Sequence, residues 1–108
     1  ITVEFDVGGF YPVTFNQPDL VEAMKGSLIK ASPGRFYESN IPVTGAEDFS
    51  YFQEKVPGTY FFIGGQQPGV DLSTVAPHHT PDFYVDDSAI STGIRSMVGL
   101  TLDYIFNN

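Results

Sequence analysis

The chain has 108 residues, 42% hydrophobic and 15% aromatic, with 13 acidic against 5 basic side chains for a formal charge of −8. That length allows one domain or part of one, and the apolar content is too high for a disordered tail. The negative balance repels phosphate backbones and anionic lipid, which excludes nucleic-acid and membrane-surface roles, and with no cysteine neither a disulfide framework nor a thiolate zinc site can form.

The first residues alternate, with Ile1, Val3, Phe5 and Val7 apolar against Thr2, Glu4 and Asp6, the period-two mark of a half-buried strand. There is no initiator Met and no leader-like basic and apolar pair of regions, so the beginning reads as a cut from something longer. No apolar run reaches the ~20 residues of a membrane span. The compartment, cytoplasmic or exported, stays open. Gly8-Gly9 allows a bend before a second extended piece over residues 10–15, where Pro12 disfavours a central ladder position. A helix follows. Asn16 is a good N-cap, Pro18 suits the first turn, and Asp19 complements the free N–H groups there. Leu20, Met24 and Leu28 recur every four residues, flanked by Val21 and Ala31, and the stretch SPG at 32–34 ends the pattern.

Phe36-Tyr37 and Ile41-Pro42-Val43 read as short extended pieces. Thr44 with Glu47 three residues on has the form of a capping box, predicting a short helix to about Lys55 that stops at Val56-Pro57-Gly58. TYFFIGG at 59–65 is a continuous apolar run bounded by glycine, the pattern of a strand covered on both faces. Residues 66–85 carry three prolines and no period, a long loop of the kind that usually means function or disorder. A last helix opens at Asp86 or Asp87 and runs to about Ile105, with Ile90, Ile94, Met97, Val98, Thr101 and Ile105 on one face. Gly93 and Gly99 inside it suggest close packing against another backbone.

Both histidines, His78 and His79, fall in the long loop. Locally two readings stand: a solvated loop imidazole, or a metal ligand. A zinc site needs three or four ligands and no spacing here supplies the rest, so either the pair is bland or its co-ligands lie outside the chain. GAED at 45–48 is likewise either an ordinary helix start or a wall whose small residues admit a ligand. Its two carboxylates would compete with an anion, which favours the helix start.

The order GAEDFSYFQEKVPGTYFFIGG, then a loop, then HHTPDFYVDDSAISTGIRSMVGLTLDYI resembles the C-terminal end of the metal-dependent aminoacylase and carboxypeptidase family. That family includes hippurate hydrolases, N-acyl-amino-acid amidohydrolases and auxin-conjugate hydrolases. YPVTFNQPDLVEAM is similar to the segment where such enzymes leave a small lid or dimerisation domain. The resemblance implies that residues 1–15 are the last strand of that lid with its connection, and residues 16–108 the C-terminal segment of the catalytic domain. The implied fold is α/β, a few strands with at least three helices.

The match His79-Thr80-Pro81-Asp82-Phe83 implies that His79, not His78, is the last protein ligand of a centre of two divalent metal ions, zinc or manganese or cobalt. Gly45, Ala46 and Glu47 correspond to a loop beside the substrate cleft, which brings the binding-wall reading level with the helix start. No catalytic residue is carried by this chain. The implied function is the C-terminal portion of a metal-dependent amidohydrolase or peptidase cleaving N-acyl amino acids or short peptides. The resemblance further implies that the other ligands lie in a missing N-terminal catalytic segment, that the full enzyme is a homodimer and that the isolated fragment is inactive; its apolar faces predict that the fragment self-associates or packs them in a dimer. The alternative from another class is a stand-alone acidic α/β ligand-binding or interaction module.

Overall fold

A computed structural model of the chain describes residues 10–107. Three α-helices carry it: α1 over Pro18–Ala31, α2 over Phe49–Gln53 and α3 over Ser88–Asn107, with a 3₁₀ turn at Leu72–Thr74 between the last two. None of the described residues is in a strand. The expected α/β architecture is therefore corrected to helices joined by extended segments. The expected lid strand lies largely outside the described residues, and residues 10–15, 36–37 and 41–43 form no strand. The physical reason is pairing: a strand exists only beside a backbone that completes its ladder, and the described segments meet isolated side-chain donors instead.

The chain divides into two compact units, one of residues 10–23 with 38–60, the other of residues 24–37 with 61–107. In the first, amide side chains do the work that a neighbouring strand would do. Gln53, at the end of α2, accepts from the Phe15 N–H at 3.0 Å and donates to the Phe15 carbonyl at 2.9 Å and the Gly58 carbonyl at 3.0 Å. Asn16 accepts from the Tyr60 N–H at 2.6 Å and donates to the Tyr60 carbonyl at 2.7 Å. Asn16 is thus no helix cap: the first α1 turn closes from the Val21 N–H to the Gln17 carbonyl at 2.9 Å. Around these forks pack Phe49 and Tyr60, ring centroids 5.7 Å apart, and Tyr11 and Tyr51, 5.6 Å apart. Gly58 is required where it stands, because a Cβ there would lie 2.8 Å from Gln53 Cγ and 3.0 Å from Phe49 Cζ.

The second unit is a seam between the C-terminal turns of α1 and α3. Small residues line it: Ser27 and Ala31 on α1 and Ser96 on α3 are all buried, which lets the backbones approach. Ser27 Oγ donates to Asp103 Oδ2, Lys30 Nζ lies 3.7 Å from the same carboxylate, and Arg95 Nε donates to the Ala31 carbonyl at 3.2 Å, satisfying an end carbonyl of α1. The Lys30 ammonium is largely exposed, so that ion pair contributes little.

The face of α3 expected to be core is open instead. Ile90, Ile94, Met97, Val98 and Ile105 are each between half and three-fifths exposed. The same holds for TYFFIGG, read from sequence as sheet interior: it has no strand pairing and Phe62 is 66% exposed. Among the described residues Ala31 is the one fully buried hydrophobic side chain. Apolar periodicity predicts that a face will be covered, not what covers it. Neither glycine of α3 meets the close backbone approach expected of it: a Cβ on Gly93 would make an ordinary contact with Ile63 Cδ1 at 3.4 Å, and one on Gly99 would meet nothing within 4 Å. Among the described residues no helix is long and apolar enough to cross a membrane.

Candidate functional site

The loop that carries the histidines is organised by its own hydrogen bonds. Its two ends are held together. The Asp86 N–H donates to the Gly65 carbonyl at 2.7 Å, Gln66 Nε2 donates to the Tyr84 carbonyl at 2.8 Å, and a Cβ on Gly65 would collide with Val85 Cγ1 at 2.8 Å. Within the loop, Asp71 Oδ1 accepts from the Ser73 N–H at 2.9 Å and from Ser73 Oγ at 2.8 Å, capping the 3₁₀ turn.

His78 and His79 occupy a turn closed by Thr80 Oγ1 donating to the Pro77 carbonyl at 2.7 Å and by the Phe83 N–H donating to the Thr80 carbonyl at 3.1 Å. The two imidazoles part company here. His78 packs on Phe83, ring centroids 4.7 Å apart. His79 is exposed and has φ of 63°, the sole left-handed non-glycine among the described residues. For a residue with a Cβ that conformation costs roughly 1–2 kcal/mol, and such strain is characteristic of positions that hold a side chain for a purpose.

No group of three or more His, Cys, Asp or Glu able to hold a metal occurs among the described residues. His78 is exposed as well as His79, and with no third donor beside them no step of hydrolysis can be derived on this chain alone.

Gly45 and Ala46 lie on an exposed stretch ahead of α2, and a methyl group at Gly45 would meet nothing within 4 Å. The capping box expected from Thr44 and Glu47 is replaced by another arrangement. α2 starts at Phe49, with Asp48 at its N-cap position making no side-chain cap bond. Glu47 instead accepts from the Phe49 N–H at 3.2 Å through Oε1 and from the Tyr60 hydroxyl at 3.0 Å through Oε2. That bond to Glu47 pushes the Tyr60 phenol above its ordinary pKa, and the charge of Asp48 does the same for Tyr11. Both phenols stay neutral donors at physiological pH. The Tyr60–Glu47 pair was not foreseen from the sequence, because its 13-residue separation follows no helical or strand period.

Asp86 sets the start of α3. Its Oδ1 accepts from the Ser88 N–H at 2.9 Å and its Oδ2 from Gln67 Nε2 at 2.6 Å, and these bonds, that to Ser88 first, hold its carboxyl below the usual range. A depressed carboxyl stabilises the fold above the unfolded-state pKa and loses that contribution as pH falls through the folded-state pKa. Acidification should therefore loosen the first turn of α3. The check is the Ser88 amide shift followed by NMR from about pH 6 down to about pH 2, a span that covers carboxylate titration: a low-lying transition is expected in the parent and none in Asp86→Asn.

The model of the peptidase family M20/M25/M40 matches residues 1–103. The chain belongs to this family. Among its relatives, thermostable carboxypeptidase 1 of Saccharolobus solfataricus is 40% identical over 84 residues, covering 77% of this chain and 20% of that protein. N-acetyldiaminopimelate deacetylase of Lacticaseibacillus casei is 32% identical over 101 residues, covering 91% of this chain and 24% of that protein. IAA-amino acid hydrolase ILR1-like 2 of Arabidopsis thaliana is 27% identical over 94 residues, 87% of this chain and 21% of that protein. This family member thus spans about a fifth to a quarter of the length of the curated relatives it matches. No solved structure matches it.

Proposed function

We propose that this chain is the C-terminal portion of a metal-dependent amidohydrolase or peptidase cleaving the amide bond of N-acyl amino acids or short peptides. The observation that carries the reading is the family match over nearly the whole chain. Relatives named as a carboxypeptidase, a deacetylase and an amino-acid-conjugate hydrolase support it, since all three names describe cleavage at an amide. In this reading His79 gives one imidazole to a centre of two divalent metals, zinc or manganese or cobalt, and its strained, exposed turn suits a side chain held out toward a ligand. Gly45, Ala46 and Glu47 form part of the cleft wall, the small pair leaving room and Tyr60 fixing the Glu47 carboxylate.

A metal pair, when bound, supplies carbonyl polarisation and a water of lowered pKa. This chain's own part is to hold one donor and shape one wall. The remaining ligands and the proton-moving group belong to a longer polypeptide, which also forms the homodimer.

The isolated chain, assayed with added zinc, manganese or cobalt, should release nothing from hippurate or N-acetyl amino acids. The longer polypeptide should hydrolyse such a substrate, lose activity to a chelator and regain it with a divalent metal. Turnover by the isolated chain, or chelator-resistant turnover by the longer one, would overturn the reading.

A further inference from the structure

Thr80 belongs to two consecutive turns beside the candidate ligand. Its Oγ1 donates back to the Pro77 carbonyl at 2.7 Å, closing a turn over His78 and His79, and its own carbonyl accepts from the Phe83 N–H at 3.1 Å, closing the next turn over Pro81 and Asp82. The first of these bonds spans His79, and it comes from a side chain. That matters because His79 stands at φ of 63° while carrying a Cβ, a backbone position that glycine or asparagine fills at less cost. Gly34 and Gly69, the two glycines at positive φ among the described residues, are the unstrained solution in the same molecule. A histidine released from such a turn relaxes toward negative φ and carries its imidazole with it.

We infer that Thr80 is a positioning residue, its hydroxyl latching residues 77–80 in the turn that keeps His79 left-handed and its imidazole in place for coordination. This rests on reading His79 as a metal ligand. Threonine suits the task because its β-branch restricts χ1 and presets the hydroxyl. His78 is anchored to the second turn by its contact with Phe83, so freedom gained when the latch is lost falls on residue 79. A latch and an ordinary fold contact leave different marks. Loss of an ordinary contact lowers the melting temperature and leaves the donor where it was. Loss of a latch that holds strain lets His79 relax, so the fold loses less than the worth of the bond, while a metal must first recover the left-handed turn. Apparent affinity then falls with the fraction of molecules still in that turn.

The test uses the metal-free longer polypeptide, titrated with zinc against a chromophoric chelator well below its melting temperature. Thr80→Val should weaken zinc binding by about threefold to tenfold, the range over which one hydrogen bond can shift such an equilibrium, and should alter the visible spectrum of the cobalt-loaded form. Thr80→Ser keeps the hydroxyl and should restore both. Melting supplies the second measurement: Thr80→Val should cost the His79→Gly protein at least as much as it costs the parent, because glycine has no strain to release. Unchanged affinity and spectrum in Thr80→Val overturn the inference. So does a larger melting loss in the parent than in His79→Gly, or a Thr80→Val that fails to fold, since a released latch leaves the fold standing. Failure of the functional reading looks different. Zinc binding indifferent to His79→Ala sinks the metal role, and the melting comparison still reads the latch, whereas His79-dependent zinc binding with Thr80→Val matching the parent sinks the positioning role alone.

Discussion

If His79 is a metal ligand as proposed, His79→Ala in the longer polypeptide should lower hydrolysis and bound metal together, by at least about 100-fold in activity, since loss of even an outer-shell partner costs about 10–100-fold. His78→Ala changes activity by less than about tenfold, because that imidazole packs on Phe83 and forfeits an aromatic contact worth about 1 kcal/mol. The informative third variant is His79→Gly. Glycine reaches φ of 63° without the Cβ penalty, so the variant should be as inactive as His79→Ala yet more stable than it, by up to about 1 kcal/mol after the added unfolded-state entropy of glycine is subtracted, and should melt at a higher temperature. Activity and metal content by mass spectrometry, set beside thermal melting of the three variants, separate an imidazole held for its donor from one held for the fold. Full activity in His79→Gly would remove the metal role.

Gln53→Ala removes three hydrogen bonds at once, those with the Phe15 N–H, the Phe15 carbonyl and the Gly58 carbonyl. Each is worth about 0.5–1.5 kcal/mol net where water is excluded, and the Phe15 end is exposed, so the sum falls to about 1–3 kcal/mol. Gln53→Glu should be worse than alanine. It keeps the acceptor for the Phe15 N–H but sets carboxylate oxygen against two carbonyl oxygens that had a donor. Asn16→Asp should repeat the pattern at Tyr60, where the amide also serves one donor and one acceptor. Hydrogen exchange at the Phe15 and Tyr60 amides reads both, with faster exchange expected in the order parent, alanine, acid. Equal rates across the series would mean the forks do not hold the extended segments.

The helices were legible because their signals are local. Pro18 opens α1 and SPG closes it within a residue of expectation, and α3 begins one or two residues past the acidic pair. The strands expected within the described residues were not borne out, for a reason that is physical: TYFFIGG has strand composition, yet pairing needs a partner in space, and Asn16 reaches it with a side chain instead. The α1–α3 seam was missed because Ser27 and Ser96 give no hydrophobic period. At the candidate site, the HTPDF stretch was visible as a family pattern, but neither the left-handed backbone of His79 nor the Glu47–Tyr60 bond has any signature in composition or spacing.

The tied base of the loop has an evolutionary meaning. Since the Gly65 carbonyl, the Gln66 amide and the Val85 methyls fasten its ends, residues between them can be gained or lost without disturbing where α3 starts. Doubling such a tethered span costs only about 0.6 kcal/mol in closure entropy. Changes of length between the tied ends can therefore accumulate here while the helical scaffold is inherited unchanged.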